Sequence, residues 1–263
     1  MHTRRLTTTG LGLVAALSIG VAGCAAPTGT PGAGASGSAT PSTSSSASNS
    51  ASNSAADELT AAAQKLNNDT VTVAMEMTGL KANGSLDPVR NRATMTMNLA
   101  TNGKPVTTEI IAVDKDAYVK LTGMPNVQNK WMHVDAAKLA GGNFDIMPQG
   151  DPAGASKMIK GMADVERTGE GSFRGTLDLT KAPTINTAAI AALGDKAKAV
   201  PFTAAVDGQG RLTRLTVDLT TIAPALGTLN TTYSNFGAPV TATKPAAAET
   251  VEAPDSLPGL FGN

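Results

Sequence analysis

Hydrophobic and polar residues alternate along much of the chain, which is the pattern of strands with one buried face. Within residues 70–77 every second position is apolar, and residues 92–99 repeat this pattern. A third segment of the same length follows at 106–113, and two shorter segments follow at 117–121 and 130–134. These five segments predict an antiparallel meander.

Turn-forming residues separate the first of these strands. Asn83-Gly84 and Asp87-Pro88 lie between the first two segments, and Asn102-Gly103 lies between the second and the third. Gly and Asn tolerate positive φ, and Pro fixes φ at a value that suits turns. We therefore predict turns, and no further strand, between residues 77 and 92.

The apolar spacing changes to that of a helix in three segments, at 57–67, 151–162 and 184–199. The second begins with Asp151-Pro152, an N-cap residue followed by Pro at the first helical position. Extended segments are predicted at 165–170, at 172–179, in a hairpin over 202–219 and at 229–235. We predict an α+β fold, in which a curved antiparallel sheet has a few helices on one face.

The N-terminus has the pattern of an export signal. Arg4 and Arg5 precede an apolar stretch at 11–21, which is too short to span a bilayer. The next residues, Val21-Ala22-Gly23-Cys24, resemble a bacterial lipobox, whose Cys accepts a diacylglyceryl group. We predict a signal peptide at 1–23 and a lipidated Cys24, which anchors the protein at the extracytoplasmic face of the cell membrane. An ordinary secretory signal with an incidental Cys is the alternative, and the export route, general secretion or twin-arginine, stays open.

Composition divides the mature chain into three parts. Beyond Cys24, the segment 24–54 contains only Ala, Pro, Thr, Gly, Ser and Asn. Such a segment buries too little apolar area to fold, so we predict a disordered tether. Residues 55–245 predict one domain, long enough to bury about 70% of its unfolded surface. Residues 246–263 are rich in Ala, Pro and Gly and predict a flexible tail.

Charge and rare residues argue against several functions. The chain has 21 basic and 21 acidic residues and only 3% aromatic residues. A nucleic-acid partner is not expected, because such proteins usually carry a strongly basic face. His133 is the only His beyond the signal, and the chain has no G-x-S-x-G motif. We therefore expect no enzyme activity, no metal site and no cofactor.

Three parts of the sequence carry a family resemblance: 116–121 with 131–135, 207–210 with 214–218, and 232–240. Together they resemble the actinobacterial envelope lipoproteins of the LppX/LprAFG type, which are similar in fold to the LolA/LolB lipoprotein carriers. The resemblance implies a half-open barrel whose concave face is covered by helices around an apolar cavity for acyl chains. It also implies transfer of a lipid or lipoglycan within the cell envelope.

Methionines are frequent on the predicted inner face, and unbranched, polarizable Met suits irregular apolar ligands. The predicted lining of the cavity is Val71, Val73, Met75, Met77, Met95, Met97, Leu99, Val119, Leu121, Met158, Ile159, Met162, Val217 and Leu219. The alternative is that these side chains only pack the sheet against the helices.

The function we predict is that of a membrane-anchored carrier of an acyl-chain lipid or glycolipid. An envelope transporter or acceptor protein is a further expected partner. Two alternatives stay open, namely a sensor module of the same fold that binds a partner protein and a structural surface lipoprotein without a ligand.

Overall fold

Twelve β-strands form one sheet in the described part of the chain, which is residues 45–101, 104–124, 129–140, 142, 144–151, 153–181 and 193–254 of a computed structural model. The strands are β1 (Val71–Met77), β2 (Leu80–Asp87), β3 (Arg92–Thr101), β4 (Lys104–Val113), β5 (Asp116–Thr122), β6 (Trp131–Asp135), β7 (Met162–Gly169), β8 (Ser172–Leu177), β9 (Val200–Val206), β10 (Leu212–Asp218), β11 (Thr228–Ser234) and β12 (Thr250–Glu252). Their order across the sheet is β12-β6-β5-β4-β3-β2-β1-β11-β10-β9-β8-β7.

The sheet consists of two antiparallel meanders that meet at β1. Strands β1 to β6 are neighbours in chain order on one side, and β11 to β7 are neighbours in reverse order on the other. The two meanders join where β1 pairs with β11, with Thr72 opposite Ser234. The edge strands β7 and β12 do not pair with each other, so the sheet is open. The prediction of a large antiparallel sheet with few helices is confirmed; a barrel shape with helices on its concave face stays a prediction.

Two α-helices accompany this sheet in the described residues, α1 (Ser45–Lys65) and α2 (Ala155–Gly161). Helix α1 contacts β7, β10 and α2. It buries Ala55, Leu59 and Ala62, whose spacing places them on one face of the helix, and Leu66 directly after the helix is buried as well. Each buried Leu contributes about 1.5–3 kcal/mol to this packing. Neither helix is both long enough and apolar enough to cross a membrane, as judged over the described residues.

Buried apolar side chains form two clusters. The helix-side cluster joins α1 to β1 and β7–β10 and includes Leu59, Leu66, Phe173, Phe202 and Leu212. The meander cluster joins β3 to β6 and includes Met95, Ile110, Val119, Leu121 and Met132. Met75 packs against both clusters, so the apolar packing continues across the sheet from one meander to the other.

Strand β2 is absent from the sequence prediction, which assigned its residues to turns. Asn83 and Gly84 lie inside β2, opposite Thr96 and Met95 of β3. A Cβ atom on Gly84 would stand 2.1 Å from the carbonyl oxygen of Thr94. This glycine therefore allows two strands to approach closely, which is a common role of Gly within a sheet. The turn expected at Asp87-Pro88 does follow β2, and Asp87 Oδ1 accepts a hydrogen bond from the amide of Arg90 at 2.9 Å.

The helix boundaries differ from the predicted ones. Helix α1 already begins at Ser45, so part of the segment assigned to the tether is helical. Growth from an already nucleated and packed helix favours this extension, although Ser and Asn are weak helix formers. Helix α2 begins only at Ala155, because its N-cap Gly154 has φ of 69°, outside the right-handed helical region. Of the helix predicted at 184–199, the described residues include a 3₁₀ segment, Gly194–Lys198.

The C-terminal segment is not wholly a loose tail. Strand β12 pairs in parallel with β6, and the amide of Ala253 donates a hydrogen bond to the carbonyl of His133 at 2.8 Å. The prediction of a flexible tail is therefore wrong at Thr250–Glu252, because the exposed edge of β6 offers these residues backbone partners. Residues 255–263, Cys24, the signal segment and most of the predicted tether lie outside the described residues.

Candidate functional site

The strand register places the predicted lining residues of the first meander on one face of the sheet. Val73 of β1 stands opposite Gly84, which stands opposite Met95 of β3. Met95 stands opposite Ile110, and Ile110 opposite Val119 of β5. Directly opposed residues of antiparallel strands point to the same side. We call this side the apolar face.

The apolar face is closed at one end of the strands. The closed row consists of directly opposed residues of β1 to β5, namely Val71, Leu86, Ala93, Ala112 and Ala117. All are buried except Ala112, which is half-buried. At this end the face is therefore filled by packing.

The opposite end of the same face remains accessible. The rim row consists of Met77, Leu80, Leu99 and Val106, which are again directly opposed across β1 to β4. Leu99 is 47% exposed and the other three are partly exposed. Met124, which follows β5, is 37% exposed. Large apolar side chains that share one exposed edge indicate a surface for an apolar partner.

A shallow pocket of about 260 Å³ lies between α1, α2 and β7. Ala56 and Thr60 of α1 form one wall, and Ile159, Met162 and Val165 contribute to the other. Its volume is slightly below the roughly 300–1,000 Å³ of typical small-molecule sites.

The pocket lies toward the same end of the sheet as the rim row. At the Met77 end of the sheet, Leu229 of β11 stands opposite Val217 of β10, and Val217 stands opposite Phe202 of β9. Phe202 stands opposite Gly175 of β8, and two residues further along β8, Leu177 stands opposite Met162 at the start of β7. Accessible apolar side chains of both meanders are therefore found toward one end of the sheet.

The fourteen predicted lining residues differ in exposure. Seven are buried by side-chain packing: Val71, Val73, Met95, Val119, Leu121, Val217 and Leu219. Six are partly exposed: Met75, Met77, Met97, Met158, Ile159 and Met162. Leu99 is the most exposed of the set. The seven buried residues fit the alternative in which these side chains only pack the sheet. The seven partly or largely exposed residues remain candidates for contact with a ligand.

Three hydroxyl side chains on the apolar face have no counterpart in the sequence prediction. Thr108 stands opposite Met97, Thr231 opposite Met75 and Tyr233 opposite Val73. Thr108 and Thr231 are buried. Burial raises the pKa of the Tyr233 phenol to about 12, so this group stays protonated at neutral pH. In the alternating pattern, Tyr is treated as apolar and Thr as an ordinary strand residue. The pattern therefore does not predict hydroxyl groups on the apolar face.

A charged cluster lies on the other face, at the edge formed by β5, β6 and β12. His133 Nε2 is 2.9 Å from Asp116 Oδ1, and its Nδ1 is 3.0 Å from Glu252 Oε1. Lys244 Nζ donates a hydrogen bond to Asp116 at 2.5 Å. Hydrogen bonding to Asp116, with a smaller contribution from Glu252, raises the pKa of His133. Hydrogen bonds from Lys244 and then His133 lower the pKa of Asp116.

This cluster ties the C-terminal segment to the sheet. Sequence reasoning treated His133 as an ordinary strand residue and missed its partners, because Glu252 lies 119 residues further along the chain. The described residues contain no group of three or more His, Cys, Asp or Glu side chains that could hold a metal ion.

No protein-family model matches this chain, and no curated protein matches its sequence. The resemblance to the LppX/LprAFG type therefore stays a prediction that rests on the quoted sequence segments.

Proposed function

We propose that this protein binds the acyl chains of a lipid or glycolipid on the apolar face and carries that lipid within the cell envelope. The observation that carries the proposal is the contrast between the closed row and the rim row. One end of a single apolar surface is packed, whereas Leu99 and its neighbours at the other end are open to a partner. In this proposal the sheet curves as a half-open barrel, α1 lies over its concave face, and lipidated Cys24 holds the protein at the membrane.

The energetics favour a ligand with more than one chain. Each buried methylene contributes about 0.8 kcal/mol, so ten methylenes contribute roughly 8 kcal/mol. Association costs about 4–15 kcal/mol in lost freedom of motion. One chain of this length is therefore marginal, whereas two chains supply ample binding energy without specific polar contacts.

Flexible methionine side chains near the accessible end of the apolar face are suited to binding acyl chains. Met75, Met77 and Met97 are partly exposed on the apolar face, and Met158 and Met162 are partly exposed near the pocket. Unbranched Met adapts to chains of different shape better than a β-branched residue does. Selection among lipids would then depend on the available volume and on polar groups beside the chains.

The test is native mass spectrometry of the chain from residue 25 onward, purified without detergent from a lipid-containing host. We expect a bound mass that solvent extraction resolves into an acylated lipid. Leu99→Gln places a polar amide in the rim row and should lower lipid occupancy about threefold or more, because apolar contact area is lost.

Val89→Gln is the matched control, since Val89 is a 75% exposed apolar residue in the turn after β2, at the other end of the sheet. Its lipid occupancy should equal that of the unmodified chain. A wild-type chain that carries no lipid and takes up no added phospholipid or glycolipid would contradict the proposal and favour a partner-binding or structural role.

A further inference from the structure

Strand β11 contributes two hydroxyl groups to the apolar face. Thr231 stands opposite Met75 on one side and Leu215 on the other, and Tyr233 stands opposite Val73. Thr231 and Tyr233 are two positions apart on one strand, so their side chains point to the same side about 7 Å apart. Both lie further inside the sheet than Met77 of the rim row.

Neither hydroxyl forms a hydrogen bond with another described residue, although Thr231 is only 5% exposed. Two threonines of the opposite face do have side-chain partners. Thr216 Oγ1 donates to Asn230 at 3.1 Å, and Thr72 Oγ1 lies 3.4 Å from the hydroxyl of Ser85. No side-chain polar atom of the described residues is both fully buried and without a partner, so these two oxygens keep some exposure. A bound molecule with a suitable acceptor can therefore reach them and form hydrogen bonds.

We propose that Thr231 and Tyr233 form a polar subsite that donates hydrogen bonds to the ester carbonyls of the bound lipid. This inference rests on the proposed lipid-binding function and narrows its ligand class to ester-linked acyl lipids. An ether-linked lipid of the same chain length offers the same apolar area but has no carbonyl acceptor. The phenol of Tyr233 keeps its proton at neutral pH and therefore remains a donor.

The subsite position sets where the polar linkage of the lipid lies. Thr231 is next to Met75, one row inside the rim, and Tyr233 is next to Val73, two rows inside. With about 7 Å between rows, the ester linkage would lie roughly 7–14 Å from the rim row. The chains would then extend over the part of the apolar face that the partly exposed Met75 and Met97 line.

The test compares two phosphatidylcholines that differ only in their linkage, dipalmitoyl (ester) and dihexadecyl (ether), by native mass spectrometry titration of the chain from residue 25. The unmodified protein should prefer the ester lipid by about 3- to 30-fold, the range expected for one or two neutral hydrogen bonds. The double variant Thr231→Val, Tyr233→Phe should bind both lipids with the ether-lipid affinity of the unmodified protein.

Thr232→Val and Tyr118→Phe are the matched controls, because both residues lie on the opposite face. They should keep the preference for the ester lipid. Equal binding of both lipids by the unmodified protein would overturn the subsite while leaving lipid binding intact. Binding of neither lipid would overturn the proposed function as well.

Thermal unfolding gives a second readout. Tyr233→Phe removes only an oxygen atom that has no described partner, so the melting temperature should stay the same or rise. A marked loss of stability would show that the hydroxyl has a structural partner, and it would overturn the proposal.

Discussion

Gly84 is the position where a single residue decides how closely two strands approach. It lies in the middle of β2, and an added Cβ would meet the carbonyl oxygen of Thr94 at 2.1 Å and atoms of Met95 at 3.0 Å. A backbone atom cannot move aside as a flexible side-chain end can. The strands must separate to accept any larger residue here.

We expect Gly84→Ala to destabilise the fold by about 1–3 kcal/mol, the usual range for forced overpacking. Urea unfolding followed by circular dichroism measures this change. Gly208→Ala is the matched control, because a Cβ atom there would meet no atom within 4 Å apart from the adjacent residues of the chain. The control should be neutral or slightly stabilising. Equal stability of the two variants would show that β2 and β3 do not approach as closely as described.

At the residue scale, alternation in the sequence predicts which side chains share a face but not how deeply each is buried. Val73 and Met77 have the same place in the pattern, yet Val73 is buried and Met77 is partly exposed. The difference arises from neighbours on other strands, which a single sequence does not reveal. Thr231 shows the same limit, because its hydroxyl stands among apolar neighbours that lie far away in the chain.

At the element scale, β12 depends on partners outside itself. It has three residues, and its ladder with β6 is supplemented by the contact between Glu252 and His133. Protonated His133 is stabilised between Asp116 and Glu252, so its pKa is higher in the folded protein than its ordinary value of 6.5. The stabilisation is therefore complete below about pH 6.5 and is lost as the pH rises through the folded-state pKa.

We expect the free energy of unfolding to fall by about 1 kcal/mol at most between pH 6 and pH 9, since the cluster is accessible to water. Hydrogen exchange should show earlier opening of β12 over the same range. His133→Gln should remove this part of the pH dependence. Lys198→Gln is the control, because its ion pair with Asp195 lies outside β12. If the free energy of unfolding of His133→Gln depended on pH in the same way as that of the unmodified protein, His133 would not be the source of this pH dependence.

Elements with one strong periodic signal could be predicted from sequence, and elements defined by their partners could not. Strands β1, β3, β4 and β5 each have several alternating positions, and the predicted segments match them closely. Strand β2 contains Asn83 and Gly84, whose local preference for turns is outweighed by pairing on both sides. Strand β12 is too short to carry a pattern, and it exists because β6 offers a free edge.

At the scale of the whole molecule, the predicted lipidation of Cys24 determines where the protein is located. We expect the mature protein to sediment with membranes and to carry a mass increase at its N-terminal residue. Cys24→Ser should abolish the mass increase and release the protein from the membrane fraction, because anchoring depends on the acyl chains. Ser is the closest replacement without a thiol.

Thr43→Ser is the control outside the lipobox and should leave both readouts unchanged. Membrane association of Cys24→Ser equal to that of the unmodified protein would contradict a lipid anchor at this position.

The join between the two meanders has a consequence for the order in which the molecule folds. Strand β1 forms early in the chain, but its partner β11 follows about 160 residues later, and contacts of such long sequence separation form slowly. Until β11 is available, the edge of β1 that it will occupy has no strand partner, and the apolar face is incomplete there. The unfinished protein is therefore most prone to aggregation during that interval. If the chain is exported as the sequence predicts, this is the interval in which a chaperone outside the membrane would have most effect.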